Sequence, residues 1–316
     1  MYAPIIIFVY NRPERLCKLV ESLSKNPEAI KSEVYFFSDG AKNEAAKSKV
    51  EEVRRYIDKI SKLKLFKQVH VFKSKKNKGL AASIIDGVSM VMERHGNAII
   101  IEDDNVLASD FLDYMNRGLE YYRNDPQIWA ISGFSRKMNF PEGYNHDIYI
   151  MQRISSYTWA SWSDRWNKTE WDIGKFYPKF LWNKKKRKEF DECGADRSLM
   201  LDAQVCNKVN SWAIRFEYSM ILNGMYSVQP CISRSLCNGN DGSGTHSKSP
   251  STEFDAQLSD GIKKVEFESL QQDERIREEF IRPYRCSFKR KLIGNWDYKL
   301  KYYITYGWRK REKKQY

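Results

Sequence analysis

Ala98-Ile99-Ile100-Ile101-Glu102-Asp103-Asp104-Asn105 carries an apolar, β-branched run straight into three adjacent acids. The run has strand length, and a strand this uniformly apolar is buried on both faces. Carboxylates crowded at its end repel one another and cost stability unless a cation or partner offsets them. Hard oxygen ligands of this kind suit Mn²⁺ or Mg²⁺, which keep coordination positions open for substrate phosphates. The competing reading of the same segment is a solvated loop ahead of a helix opened by Ser109 and Asp110.

Upstream, strand and helix patterns alternate. Residues 4–10 are a continuous apolar strand, and Leu16, Leu19, Val20 and Leu23 follow at helical spacing after Pro13. Residues 33–38 form a second strand ending at Asp39-Gly40, before a helix marked by Ala46, Val50, Val53, Ile57 and Ile60. Residues 68–73 form a third strand, and Asn77-Lys78-Gly79 leads into a helix carrying Leu80, Ile84, Val88 and Val91. Residues 98–101 are the fourth strand.

This alternation predicts an α/β chain with a Rossmann-like, mostly parallel sheet flanked by helices. Ligands of such sheets bind outside the carboxyl ends of the strands. One rim would therefore carry Tyr10 and Arg12, Asp39, Lys78 with Gly79, and the acidic cluster. It has the parts for a nucleotide: an acid to accept hydrogen bonds from base or ribose, a glycine allowing close approach, a lysine for phosphate, and carboxylates for a metal.

Composition sets the outer limits. The chain has 316 residues, 41% hydrophobic and 30% charged, which is ordinary for a soluble globular protein. No apolar run approaches the ~20 residues of a membrane span, and residues 5–10 lack the basic lead and cleavage site of a signal peptide. The six cysteines show no paired CxxC spacing, so they argue for neither a zinc site nor a disulfide framework, and they fit a reducing cytoplasm. A net charge of +13 and a pI near 9.3 call for an anionic partner.

The chain resembles the nucleotide-sugar-dependent glycosyltransferases of the A-type fold, in the large bacterial family-2-like group. The resemblance is carried by residues 5–13, by Asn77-Lys78-Gly79-Leu80-Ala81 and by Glu102-Asp103-Asp104-Asn105; further on, residues 159–166, 211–216 and 240–246 add to it. The acidic triplet is also similar to that of the N-acetylglucosaminyltransferase I group. The resemblance implies that Tyr10, Arg12 and Asp39 hold the base, that Asp103 meets the ribose, and that Asp104 meets the metal. It also implies that His246 completes the metal or diphosphate site. The residues agree on His246: the glycine-rich stretch around it is of a kind that closes over a bound ligand.

In the second half, aromatic residues crowd residues 157–182, and Trp159 and Trp162 are the two expected to line an acceptor groove. Inverting transfer needs a carboxylate base opposite the leaving diphosphate. Asp202, Asp164 and Glu217 are the candidates, with Asp202 favoured. Cations for the leaving group are sought in Lys76 or Lys78, and in Arg215 or Arg234.

The expected organisation is a catalytic domain over residues 1–250 and a helical, basic-aromatic extension over 251–316, with a helical stretch near 263–280. The domain itself would divide into a nucleotide-sugar-binding half (1–125) and an acceptor-binding half (126–250). The extension combines Lys and Arg with Trp and Tyr, the composition of an interfacial segment on an anionic membrane. The resulting expectation is a metal-dependent, inverting glycosyltransferase. It would be cytoplasmic or peripheral on the inner membrane face, moving a sugar, UDP-linked by resemblance, to a glycan or lipid-linked acceptor in surface polysaccharide assembly. A sugar-phosphate nucleotidyltransferase would need a glycine-rich loop after the first strand, which Asn11-Arg12-Pro13-Glu14-Arg15 lacks. A basic nucleic-acid-binding protein is the non-enzymatic alternative, but the charge clusters lie outside any recognisable nucleic-acid motif, so no nucleic-acid partner is expected.

Overall fold

The computed structural model describes residues 2–237 and 255–285, together with residues 300 and 304. Its first half follows the expected alternation: β1 (Ile5–Val9), α1 (Pro13–Ser24), β2 (Glu33–Ser38), α2 (Glu44–Ile60), β3 (Gln68–Lys73), α3 (Leu80–His95) and β4 (Asn97–Glu102). Local chemistry sets the joints. Pro13 opens α1, the Asn43 side chain accepts from Ala46 N to cap α2, and Gly96, at φ 79°, ends α3 in the left-handed region. The apolar faces foreseen for α1 and α2 are buried through Leu16, Leu19, Val53 and Ile57.

The second half adds β5 (Asn105–Leu107), α4 (Phe111–Tyr121), β6 (Ile128–Ser132), β7 (Ile148–Met151), β8 (Thr158–Trp162) and α5 (Ser163–Asn167). Then come α6 (Ile173–Leu181), α7 (Lys184–Phe190), α8 (Arg197–Val205), α9 (Trp212–Leu222), β9 (Tyr226–Pro230), β10 (Ser235–Cys237) and α10 (Glu274–Phe280). The main sheet has the order β3-β2-β1-β4-β8-β6-β9-β7, and β5 pairs separately with β10. All its strands run the same way except β8 and β7, so the sheet is mostly parallel as expected.

The reversed strand β8 decides where the second half can contribute. Thr158 lies beside Ile101 and Trp162 beside Asn97, so the start of β8 is at the ligand rim and its end is at the opposite edge. Trp159 and Trp162 were expected in an acceptor groove, yet they are 0% and 3% exposed. Trp159 stacks on Trp166 and Trp212 in the core, while Trp162 points to the other face and donates through Nε1 to Leu119 O at 3.2 Å. A central strand is covered on both faces, so its aromatic side chains have no open side.

The described part of the C-terminal extension is not a detached helix. Residues 255–273 are irregular, and only Glu274–Phe280 within the expected stretch is helical. Val265 enters the main core, Phe267 packs on Tyr114 and Tyr122, and the Tyr122 hydroxyl donates to Glu268 O at 2.5 Å. Ile276 and Phe280 then bury against Tyr149, Met151 and Cys193. Single apolar anchors at irregular intervals strap the segment to the body, which a helical period would not allow. Most of the basic-aromatic tail lies outside the described residues. Among those described, no helix is long and apolar enough to cross a membrane.

Candidate active site

The carboxyl ends of β1, β2, β3 and β4 bring the first-half candidates to one rim. Asp103 Oδ2 accepts from Tyr10 N at 3.4 Å, which ties the acidic turn to the end of β1. Arg12 Nη1 lies 2.8 Å from Asp104 Oδ2 and 3.6 Å from Asp103 Oδ1, with Arg15 Nη1 at 3.5 Å from Asp104. Arg12 was expected on the base; it is drawn instead to the nearest dense negative charge. Burial, then Asp104 and Asp103, push Glu102 up to about 8. Burial also raises Asp103 to about 6, against the pull of Arg12 and with the help of Asp104.

The acids fit a divalent cation. Asp104 Oδ1 is buried and has no hydrogen-bond partner among the described residues, so the cluster holds a carboxylate oxygen that they leave unused. Among the described residues no third His, Cys, Asp or Glu closes a full protein cage around it. That suits a metal completed by phosphate and water. His246, expected as a further ligand, lies outside the described residues.

Asp39 also has a structural task. Its carboxylate accepts from Gly40 N at 2.8 Å, from Lys78 N at 2.9 and 3.1 Å, and from Gly79 N at 2.9 Å, clamping the β3–α3 loop against the end of β2. The two loops touch so closely that a Cβ at Gly40 would lie 2.5 Å from the Lys76 carbonyl carbon. Gly79 adopts φ 79° with open space around its Cα. The Lys78 ammonium turns outward to Asp86 at 2.8 Å, so this residue offers its backbone to the rim and its charge to solvent. The Tyr10 hydroxyl accepts from Lys42 N at 2.9 Å, closing the same corner.

Beside the acidic turn opens a cleft of ≈450 Å³, lined by Phe134, Arg136, Arg153, Ser155, Tyr157 and Glu217 among others. Tyr157 joins the two sites: its carbonyl accepts from Glu102 N at 3.2 Å and from Asn105 Nδ2 at 3.1 Å, while the residue lines the cleft. Of the three base candidates only Glu217 faces this space. Its Oε1 accepts from Ile154 N at 3.1 Å, and Arg197 Nη2 stands 3.3 Å from Oε2.

The other two candidates do not line the cleft. Asp202 is 0% exposed and saturated by Arg187 at 2.9 and 2.6 Å and by the Tyr177 hydroxyl at 2.8 Å. Asp164 follows β8 at the opposite edge of the sheet, solvent-facing and paired with Arg165 at 2.8 Å. Two of the expected cations are engaged elsewhere: Arg215 donates to Ser211 O and Trp171 O, and Arg234 pairs with Asp110. Residues 136, 153, 155 and 196 belong to the cleft without having drawn notice in the sequence. They sit just after β6, just before β8 and ahead of α8, positions that count as rim only once the reversal of β8 is known.

The chain is similar to residues 1–349 of S. aureus TarS, with a TM-score of 0.43 and 10% identity over 76% of this chain and 61% of that one. A longer S. aureus TarS chain is covered to 24%, so this chain spans less than two thirds of either. It is also similar to the mannosyltransferase PcManGT from Pyrobaculum calidifontis in complex with GDP-Man and Mn²⁺, with a TM-score of 0.42 and 12% identity over 71% and 69%. GalNAc-T7 with UDP, GalNAc and Mn²⁺ gives 0.47 and 12% over 74% and 43%. No curated protein matches the chain. The family model described as glycosyl transferase family 2 matches residues 5–200, more than half of the sequence and the whole of the frame from β1 into α8; the chain belongs to glycosyl transferase family 2.

Proposed function

We propose that the protein transfers a sugar from a nucleoside diphosphate, UDP in the first instance, to a hydroxyl of a glycan or lipid-linked acceptor, with inversion at the anomeric carbon. The observation that carries the reading is Asp104 Oδ1 at the end of β4, unpartnered among the described residues, adjoining a cleft lined by the carboxylate of Glu217, which is paired with Arg197. The base of the donor would lie at the Tyr10–Asp39 corner and its diphosphate at the acidic turn.

Glu217 takes the proton of the acceptor hydroxyl as the oxygen attacks the anomeric carbon. The bond from that carbon to the diphosphate breaks with its electron pair leaving on the phosphate oxygen. The hydrogen bond from Ile154 N holds one Glu217 oxygen and leaves the carboxylate oriented toward the cleft. Asp104, with Asp103, would hold a divalent cation, whose charge stabilises the departing diphosphate. Arg12 and Arg15 balance the acids when no donor is bound, and the Arg12 ion pair with Asp104 must loosen as a donor enters.

A thermal-shift screen of nucleotide sugars with and without Mn²⁺ tests the reading. Donor at ~100 times its dissociation constant adds about 2.7 kcal/mol, enough to raise the melting temperature by several degrees. If no nucleotide sugar raises it in the presence of Mn²⁺, the reading falls.

A further inference from the structure

The cleft beside the acidic turn holds two donors that the reaction above does not use. Arg136 lies beyond the end of β6, is 7% exposed and lines the cleft. Its Nη1 donates to Lys137 O at 3.2 Å and its Nη2 to Glu279 O, while Nε is buried without a hydrogen-bond partner among the described residues. The Glu279 carboxylate pairs elsewhere, with Arg282. Ser155, on the same cleft, likewise keeps a buried Oγ with no partner among the described residues.

The neighbouring guanidinium groups make the contrast. Arg153 is held in a two-pronged pair by Asp196 at 2.9 Å on each nitrogen and lies 3.6 Å over the Tyr284 ring. Arg197 stands against Glu217. Among the described residues, Arg136 alone of these three has no carboxylate in a direct ion pair: it hydrogen-bonds only carbonyl oxygens, and the nearby Glu279 carboxylate is turned to Arg282. A cation withdrawn from water without a direct ion pair is costly, and a guanidinium is the side chain best shaped to take phosphate or carboxylate oxygens.

We propose that the acceptor carries an oxyanion, phosphate or carboxylate, close to the hydroxyl that is glycosylated, and that Arg136 binds it with help from Ser155 Oγ. This rests on the cleft being the acceptor site. The strap from residue 255 to 285 takes part, because Glu279 holds the guanidinium and Phe280 and Tyr284 wall the cleft. Acceptor choice would then depend on a segment beyond residues 5–200, where the family match ends.

The test is calorimetric titration of the full chain, first saturated with UDP or GDP and Mn²⁺ so that the donor's phosphate site is filled. Glycerol 1-phosphate and glucuronate are then titrated in separate runs, which tells phosphate from carboxylate. The expected result is one-to-one binding of one of them. R136Q should weaken it at least about tenfold, the equivalent of about 1.4 kcal/mol, and leave nucleotide affinity unchanged. S155A should weaken it less. The proposal is overturned if neither anion binds, if nucleotide competes the anion away, or if R136Q lowers the melting temperature but leaves anion affinity intact, as a mere clasp on the strap would. Should R136Q fail to fold, unchanged anion affinity in S155A overturns it instead. If nucleotide fails to bind while Arg136-dependent anion binding persists, the transfer reading is lost and the anion site stands.

Discussion

Asp104 and Asp202 are both buried acids, yet they sit in opposite electrostatic situations. Asp202, in α8, has Arg187 and Tyr177 on its two oxygens and no access to solvent. Asp104, after β4, shares a crowded turn with two more acids, is met from one side by Arg12 and Arg15, and keeps an oxygen with no partner. A satisfied buried charge holds the fold together, whereas an unsatisfied one at a ligand rim is a place for something the protein does not itself contain.

The largest effect expected from this contrast is on stability. Asp202→Ala leaves Arg187 buried without its acid and should cost about 3–5 kcal/mol. Urea denaturation measures the loss, and kcat per folded molecule should hold. A stable Asp202→Ala with no transfer would return Asp202 to the catalytic role first expected of it.

Asp104→Asn should do the reverse. Transfer falls about 10²–10³-fold, comparable to losing one preorganised transition-state contact, and the Mn²⁺-dependent part of donor binding disappears. Its melting temperature should move far less than that of Asp202→Ala, because relief from Glu102 and Asp103 offsets the lost pairing with Arg12 and Arg15. Full activity with added Mn²⁺ would break the metal assignment.

Glu217→Gln sharpens the same comparison on the acceptor side. Turnover should drop about a hundredfold, at the low end for loss of a general base, with donor affinity unchanged. An equal fall in donor affinity would place Glu217 at the donor instead.

The smallest expected effect is a pH slope. Glu102, at about 8 in the folded protein, holds its proton more tightly than in the unfolded chain, where its usual value is 4.5. Its contribution to stability is therefore complete below the unfolded value and declines as pH rises toward and through 8. Metal-free Glu102→Gln should show a flatter stability profile across that window, by at most about 1.4 kcal/mol per pH unit. Identical slopes in the two proteins would show that the acidic turn is not strained by charge.

The first half of the fold was legible because each element carries its own local instruction. β2 and β3 have the bounds expected, and Pro13, Asn43, Gly79 and Gly96 mark where helices start or stop. The rim acids were legible for the same reason, since a parallel sheet places strand ends together whatever the rest of the chain does. The aromatic stretch after residue 157 misled, because composition alone cannot separate a core indole from a sugar platform. Trp159 and Trp162 went inside once β8 became a central strand.

The sequence by itself determined the parallel half of the sheet and the acidic turn at its edge, through period and strand-end chemistry within a few residues of each other. Only the tertiary structure decided that Arg12 turns to Asp104, that Asp39 clamps a loop, that Glu217 and not Asp202 faces the cleft, and that Arg136 is left there, among the described residues, without a directly paired acid. Asp202 is taken up by partners 15 and 25 residues away, and the other outcomes depend on partners between 39 and 143 residues away along the chain. A charge is free or spent according to what the fold brings to it, and no local pattern encodes that.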